Sequence, residues 1–383
     1  MYVDWILRGG RVIDPASGTD GIRDLYILDG QLAEAGAGSA ECAPERVLDL
    51  RGLLVTPGLI DYHAHVFHTG STIAVPPEKL AAQGTVSVVD AGTAGCANYE
   101  EFASDVIAGS AVRVRAFLNI YSRGQEDGAL LEDFDPALYD VDGMAAVIEK
   151  YRDQILGLKL RLSRGIVPEE RAAEYLEACM ALAGVLEERT GKALRVCVHA
   201  TDCPIPAGEL ARRLRPGDIF CHCYQGKGHS ILTESGEIDP EVLAARERGV
   251  LFDAANGRSN FCLDTARRAI AAGFLPDIIS SDLTAFTFAV PPHVESLPHV
   301  LSKYLALGLP LAEVLRLCTQ APAKLLGDGE SGSLKPGAAA DIAVFRLEER
   351  RWEQRDFRND TIVCDRLLVP QMTMIGGETV FRR

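Results

Sequence analysis

Residues 58–70, GLIDYHAHVFHTG, place three of the chain's eight histidines within six positions. His63 and His65 stand at i and i+2. On a strand that spacing puts both imidazoles on one face and Ala64 on the other, which makes the pair a ready chelate for one metal ion. The competing reading is two polar residues in a loop after a Gly-Leu-Ile turn. Four more residues able to bind metal or move protons close later apolar runs: Lys159 in ILGLKLRLS, His199 in ALRVCVHAT, His222 in DIFCHCYQG and Asp282 in IISSDLT. Their recurrence at the ends of successive runs favours the metal reading.

Lys159 alternates with leucines, so it shares a face with Arg161 while the leucines face outer helices. A bare ammonium beside a divalent cation is repelled, and its burial is costly. Reaction with carbon dioxide to a carbamate would reverse its sign and offer two anionic oxygens to bridge two metals. Pairing with an acid such as Asp282 is the other way to bury it, and spacing alone leaves both open.

These residues need a scaffold that brings distant segments together. Eight short apolar runs recur: LVTPGLIDYHAH, GTVSVVDAG, VRVRAFLNIY, ILGLKLRLS, ALRVCVHAT, DIFCHCYQG, VLFDAANG and IISSDLT. Most precede a helix candidate, such as PEERAAEYLEACMALAGVLEERTG or DPEVLAARERG. Eight β–α alternations predict an α/β fold, a closed (β/α)8 TIM barrel. An open doubly wound sheet would need a G-x-G-x-x-G turn, which the sequence lacks. Barrel active sites lie at the C-terminal strand ends, where these residues fall. The ends of the chain have a different texture, with short strands broken by glycine: WILRGGRVID, DLYILDGQLAEAG and RVLDLRGLLVTPG at one end, ADIAVFRLEE at the other. Residues 1–54 and 331–383 are expected to form one small β-sandwich domain around a barrel domain of residues 55–330, with the later boundary in GESGSLKPGAAADIAV.

The chain has 383 residues, of which 47% are hydrophobic, and a net charge of −15 from 54 acidic against 39 basic residues. That balance, without a basic run, excludes nucleic acid and anionic membranes as partners on simple electrostatics. There is no signal-like start and no apolar stretch of about 18 residues, so a cytoplasmic protein is expected, with a small molecule as its partner. A homo-oligomer is compatible with the sequence. The ten cysteines contain no C-x-x-C pair and are expected to be buried thiols. Alternation places Cys221 and Cys223 opposite His222, against the helices, and Cys197 on the inward face below His199.

The ordered set His-x-His, Lys, His, His, Asp, with DLRGLLVTPGLIDYHAH before it and LALGLPLAEVLRLCTQAPAKLLG and GSLKPGAAADIAVF after it, resembles the amidohydrolase superfamily over essentially the whole chain. Within it the chain looks most like the deacetylase-type binuclear metallohydrolases, near the dihydroorotases and hydantoinases. The resemblance implies that His63, His65 and Asp282 hold a more buried divalent metal ion, that His199 and His222 hold a more exposed one, and that Lys159, as a carbon dioxide-derived carbamate, bridges the two. Zinc (Zn2+) is the expected metal, with manganese or iron as alternatives. The implied reaction is hydrolysis of an amide or ester of a small acylated molecule by a metal-bridging hydroxide, with Asp282 as the catalytic proton carrier.

Substrate contacts are expected from loops. Arg123 and Arg164 follow the third and fourth runs and either could grip a substrate carboxylate, or both could be plain surface arginines. His68 could touch substrate at the mouth or be a solvated loop residue. At the end of the seventh run, Asn256-Gly257 stands where deacetylase-type sequences tend to have a histidine-containing turn, which makes Asn256 a candidate substrate contact. Phe67 occupies the position where dihydroorotases carry a carboxylate-binding arginine, which ranks that activity low. The main alternative is a cyclic amidohydrolase opening a hydantoin or imide ring. A non-catalytic binding homologue would have lost Asp282 or Lys159, and both are present.

Overall fold

The computed structural model describes residues 2–34, 41–126, 132–327, 329 and 331–383. Residues 35 and 36 of DLYILDGQLAEAG and residue 330 of the boundary stretch lie outside them. The two ends of the chain meet in one sheet. Its strands run, in spatial order, Glu378–Arg382, Thr361–Ile375, Ile342–Arg355, Leu54–Pro57, Trp5–Asp14, Thr19–Leu28 and Gln31–Ala33, with Val47–Asp49 also on Trp5–Asp14. The join is antiparallel, with Val55 opposite Val344, and Leu54 lies parallel to Arg11. Leu7, Val12, Ile27, Val55, Ile342 and Met374 form the core of this sheet.

Seven parallel strands follow in sequence order: Leu59–Ala64, Thr85–Asp90, Arg113–Asn119, Ile155–Arg161, Arg195–His199, Ile219–Cys221 and Leu251–Asp253. The first predicted run is therefore divided. Leu54–Pro57 belongs to the small sheet, and only Leu59–Ala64 enters the barrel. Every residue of both pieces is buried, so hydrophobicity carries no sign of the change. The switch occurs where Gly58 N donates to Asp341 O (2.9 Å) and Leu59 N to Gly84 O (2.9 Å).

The eighth run, IISSDLT, is not a regular strand, yet it closes the ring. Ile278 bridges Asp253 and Leu283 bridges Ala64. Asp282 N donates to His63 O (2.7 Å), and His65 N donates to Leu283 O (3.0 Å). Between those contacts backbone and side chains share the pairing: Asn256 N donates to Ser280 O (3.1 Å) and Gly257 N to Ser281 O (3.0 Å), while Ser281 N donates to Asp61 Oδ1 (2.9 Å) and Ser280 Oγ to Asp253 Oδ1 (2.6 Å). Buried backbone groups are thereby satisfied without a regular strand.

Outside the ring, helix Ala172–Thr190 ends at Gly191 in the left-handed region. Helix Pro240–Arg248 starts with the Asp239 side chain accepting from Glu241 N and ends at left-handed Gly249, the N-cap, Pro and C-terminal Gly that stop and start helices. Leu158 and Leu160 pack in the outer core with Leu176 and Ala183. A separate inner cluster, including Tyr62, Val89, Phe117, Cys197 and Cys221, fills the ring below its mouth. All ten cysteines are free thiols and eight are buried. Among the described residues no helix is long and apolar enough to cross a membrane.

Helix Leu297–Ala306 pins the small sheet to the barrel, with Leu368 N donating to Ser302 Oγ (3.0 Å). On its buried face Lys303 places Nζ 3.6 Å from the Phe261 ring centroid. Burial lowers this amine to about 7, against smaller opposing effects of Cys364 and Asp356. Because the folded value lies below that of a free lysine, the unfolded chain binds more protons between about pH 7 and 10.5, and the lysine makes stability rise with pH across that window. Lys303→Met is expected to abolish this contribution. Denaturant melts at successive pH values should show wild type gaining on the variant by at most about 1.4 kcal/mol per pH unit, and parallel curves would refute the assignment.

Candidate metal centre

The six residues expected at the strand ends converge. His63 Nε2 lies 3.6 Å and His65 Nε2 3.4 Å from the same oxygen, Asp282 Oδ1. Lys159 Nζ is 3.5 Å from His63 Nε2. His222 Nε2 is 2.8 Å from His199 Nδ1, and the His222 ring centroid is 5.1 Å from that of His63. His63, His65, Lys159, His222 and Asp282 are all buried.

Hydrogen-bond partners fix which nitrogens carry protons. The Thr93 hydroxyl donates to Asp90 Oδ2 (2.8 Å), so toward His65 Nδ1 (2.9 Å) it can only accept. His65 Nδ1 is then the protonated nitrogen, and Nε2 turns a lone pair to Asp282. His222 Nδ1 faces the carbonyl of Ala255 at 2.6 Å and must donate, which leaves its Nε2 as the acceptor. His63 Nδ1 faces Asp253 Oδ2 at 3.4 Å, which directs Nε2 to the centre. The result is two acceptors, His65 Nε2 and Asp282 Oδ1, face to face. A metal ion between them would satisfy both.

The electrostatics favour neutral ligands. Burial drives His63 and His199 well below the usual imidazole range, aided by Lys159 for His63 and by His222 for His199. Burial likewise lowers His222 to about 3. For Asp282 burial acts upward but is outweighed by His65 beside it and the other neighbouring imidazoles, so it stays ionised below the ordinary carboxylate range. Lys159 is 2% exposed, and among the described residues no carboxylate forms an ion pair with it. Three neutral imidazoles and an ionised carboxylate fit a site for divalent cations, and the buried Lys159 amine stands beside them against His63 Nε2 and Cys197 Sγ.

Backbone geometry does what strand alternation cannot. His222 has φ 62° and Asp282 φ 52°, the left-handed region that few non-glycine residues occupy and that clusters at functional sites. This twist explains a correction. Cys221 was expected to face the helices opposite His222, but it lies inside the ring with its Sγ 3.1 Å from Cys197 Sγ. The left-handed step turns His222 back to the same interior, and only Cys223 joins the outer core. Two glycines give the site room. A Cβ on Gly92 (φ 87°) would lie 2.6 Å from Lys159 Cβ, and one on Gly257 (φ 55°) would lie 2.2 Å from Asp282 Oδ2.

The other expected contacts lie outside this cluster. Arg123 is on the surface beside Glu126 (2.7 Å). Arg164 pairs with Asp202 (2.9 Å) and Glu169 (3.2 Å). His68 is half-buried, with Nδ1 3.4 Å from the carbonyl of Val66. Asn256 is fully buried in the barrel wall and donates from Nδ2 to Ser280 O (2.9 Å). Arg161 meets Glu132 in an ion pair. Phe67 is buried against Phe102.

Sequence reasoning missed a supporting layer. Asp90 with Thr93 orients His65, Asp253 faces His63, and Asn260 Nδ2 donates to Asp282 Oδ2 (2.7 Å). Asp90 and Asp253 end the second and seventh barrel strands, which was a usable signal. Asn260 sits in an irregular loop with no such mark.

Residues 54–380 match the family model described as the amidohydrolase family. A deacetylase of Agrobacterium fabrum is 30% identical over 362 residues, covering 92% of this chain and 85% of that protein. A crystal structure of an adenine deaminase superposes with a TM-score of 0.86 at 25% identity over 100% of both chains. A dihydroorotase structure superposes with a TM-score of 0.83 at 28% identity, covering 98% of this chain and 97% of the other.

The orienting contacts make separable predictions. Asp253→Asn should weaken affinity for an added divalent metal about 10–100-fold through His63, read by competition with a chelator; unchanged affinity would remove Asp253 from the site. Asn260→Ala should leave that affinity intact and lower any turnover about 10-fold, the loss of one hydrogen bond to a charged group.

Proposed function

The chain belongs to the amidohydrolase family, whose members hydrolyse carbon–nitrogen bonds, and from that premise we propose that it is a metal-dependent hydrolase of the deacetylase type. Its substrate is a small acylated molecule bearing a carboxylate, cleaved at an amide or ester bond. The observation that carries this reading is the meeting of His65 Nε2 and Asp282 Oδ1, 3.4 Å apart and both acceptors, beside a buried lysine that forms no ion pair with a carboxylate among the described residues.

His63, His65 and Asp282 would hold one divalent ion and His199 with His222 the second. Lys159 would join them as a carbamate, which converts an ammonium that repels metal into an anion that binds it. Such a pair of ions, zinc by its suitability for imidazole and carboxylate, polarises a carbonyl and lowers the pKa of water. Asp282 accepts the proton of the attacking water and passes it to the departing nitrogen or oxygen. Asn260 holds the second oxygen of that carboxylate and so fixes the direction in which it works. Arg123 or Arg164 would reach the substrate carboxylate only by exchanging its present acidic partner for it. The deacetylase relative supports the acyl substrate.

The second reading is a cyclic amidohydrolase, which the dihydroorotase superposition favours. Within it Phe67 ranks dihydroorotase low, because a buried phenyl packed on Phe102 offers no cation for a ring carboxylate.

Reconstitution with zinc and bicarbonate should give about two metal ions per chain, and fewer than one would exclude the binuclear reading. Asp282→Asn should keep bound metal and lose about 100-fold or more in turnover, whereas full activity would end its role as proton carrier. A panel of N-acetyl and O-acetyl carboxylates set against hydantoins and imides decides between the two substrate classes.

A further inference from the structure

Beneath the metal centre the barrel floor holds two thiols that the hydrolytic chemistry does not use. Cys197, on strand Arg195–His199, is 1% exposed, and Cys221, at the end of Ile219–Cys221, is 0% exposed. Their sulfurs are 3.1 Å apart. Cys197 Sγ is also 3.6 Å from Lys159 Nζ, which in turn lies against His63 Nε2. One His63 nitrogen and the two sulfurs all fall within 4.8 Å of one another. Buried cysteines usually act as small hydrophobes, but a small hydrophobe has no need of a second sulfur and an imidazole at this distance.

The register argues against a disulfide. Cys197 is opposite Ile219 and Cys221 is opposite His199, so the two cysteines are diagonal neighbours two residues out of step. Strand spacing and rise put their backbones roughly 8 Å apart, beyond the roughly 7 Å that a disulfide spans without backbone movement. A metal ion with sulfur bonds of about 2.3 Å bridges a wider gap than a sulfur–sulfur bond does.

We propose that Cys197, Cys221 and His63 form a second, thiophilic metal site in the barrel floor, selective for soft cations such as cadmium, mercury(II) or copper(I). Thiolate sulfur prefers such ions over the harder cations that carboxylate oxygen suits. Binding releases the two thiol protons to solvent, and the ion carries the charge that replaces them. His63 presents one nitrogen to the centre because Nδ1 faces Asp253. A soft ion in the floor and an ion held with His65 and Asp282 therefore compete for His63 Nε2. Both the floor site and this last step rest on the function proposed above, because only the carbamate removes the ammonium charge that Lys159 would hold 3.6 Å from Cys197 Sγ.

The zinc-loaded protein is titrated with cadmium, and sulfur-to-cadmium charge-transfer absorption and zinc release are followed together. The expected result is a band saturating near about one cadmium per chain, with loss of one zinc. The band should disappear in Cys197→Ala/Cys221→Ala and persist in Cys42→Ala/Cys96→Ala, which removes the two half-buried cysteines. No band in wild type, a band surviving in the floor variant, or a band lost in the control variant would overturn the site. If the floor variant fails to fold, cadmium NMR of the wild-type chain still decides, since sulfur-bound and purely nitrogen- and oxygen-bound cadmium resonate apart. A band without zinc release would retain the floor site and refute only its competition for His63. Zinc stoichiometry and turnover without cadmium test the hydrolase separately.

Discussion

Ring closure is the constraint on which this molecule depends. Each proposed ligand sits at the end of a different strand or of the irregular eighth segment, apart from the pair His63 and His65. They meet only because Asp282 N–H bonds to the carbonyl of His63 and His65 N–H bonds to the carbonyl of Leu283. These two bonds join the last wall of the barrel to the first, and they do so at the ligands themselves. Closure and assembly of the site are one event. The side chains of Asp61 and Asp253 hold the serines of the closing segment, and Ser281 N–H, which a regular strand would pair with a carbonyl, is satisfied by a buried carboxylate.

Burial then governs the chemistry. In water the histidines would titrate close to neutrality, and a lysine would carry its proton. Inside the ring burial penalises the cationic imidazoles, and His63, His199 and His222 remain neutral. The carboxylate of Asp282 escapes the same penalty because imidazoles surround it and Asn260 donates to its outer oxygen. The supporting layer of Asp90, Thr93, Asp253 and Asn260 selects tautomer and orientation, which is how outer contacts tune ligands that meet a metal. The thiols in the floor are of different character: soft, apolar in their surroundings, and within reach of the same His63.

Strain is concentrated at the same place. His222 and Asp282 adopt left-handed backbone, a conformation that costs free energy and persists only where surrounding contacts enforce it. Here the enforcing contacts are visible: His222 bonds to the carbonyl of Ala255, and Asp282 is fixed by His63 O and Asn260. Gly257 and Gly92 leave space where any side chain would collide with Asp282 or Lys159.

The sequence by itself determined the architecture and marked the candidate donor residues. Alternation of apolar runs with helices encodes a parallel barrel, the glycine-broken ends encode a shared small sheet, and the order His-x-His, Lys, His, His, Asp is legible because each residue closes a run. These are local periodicities, written in neighbouring residues. Tertiary structure alone decided what depends on distance between strands. It placed the break between sheet and barrel at Gly58, where continuous burial hides the transition. It turned Cys221 inward, because one left-handed residue overrides the two-residue period that alternation assumes. It placed Asn260 against Asp282 and buried Asn256, the candidate substrate contact, in the barrel wall. It also left Arg123 and Arg164 paired with nearby acids instead of open at the mouth. A strand pattern records which face a residue takes; which atom it meets across the ring is set by closure, and closure is a property of all the strands together.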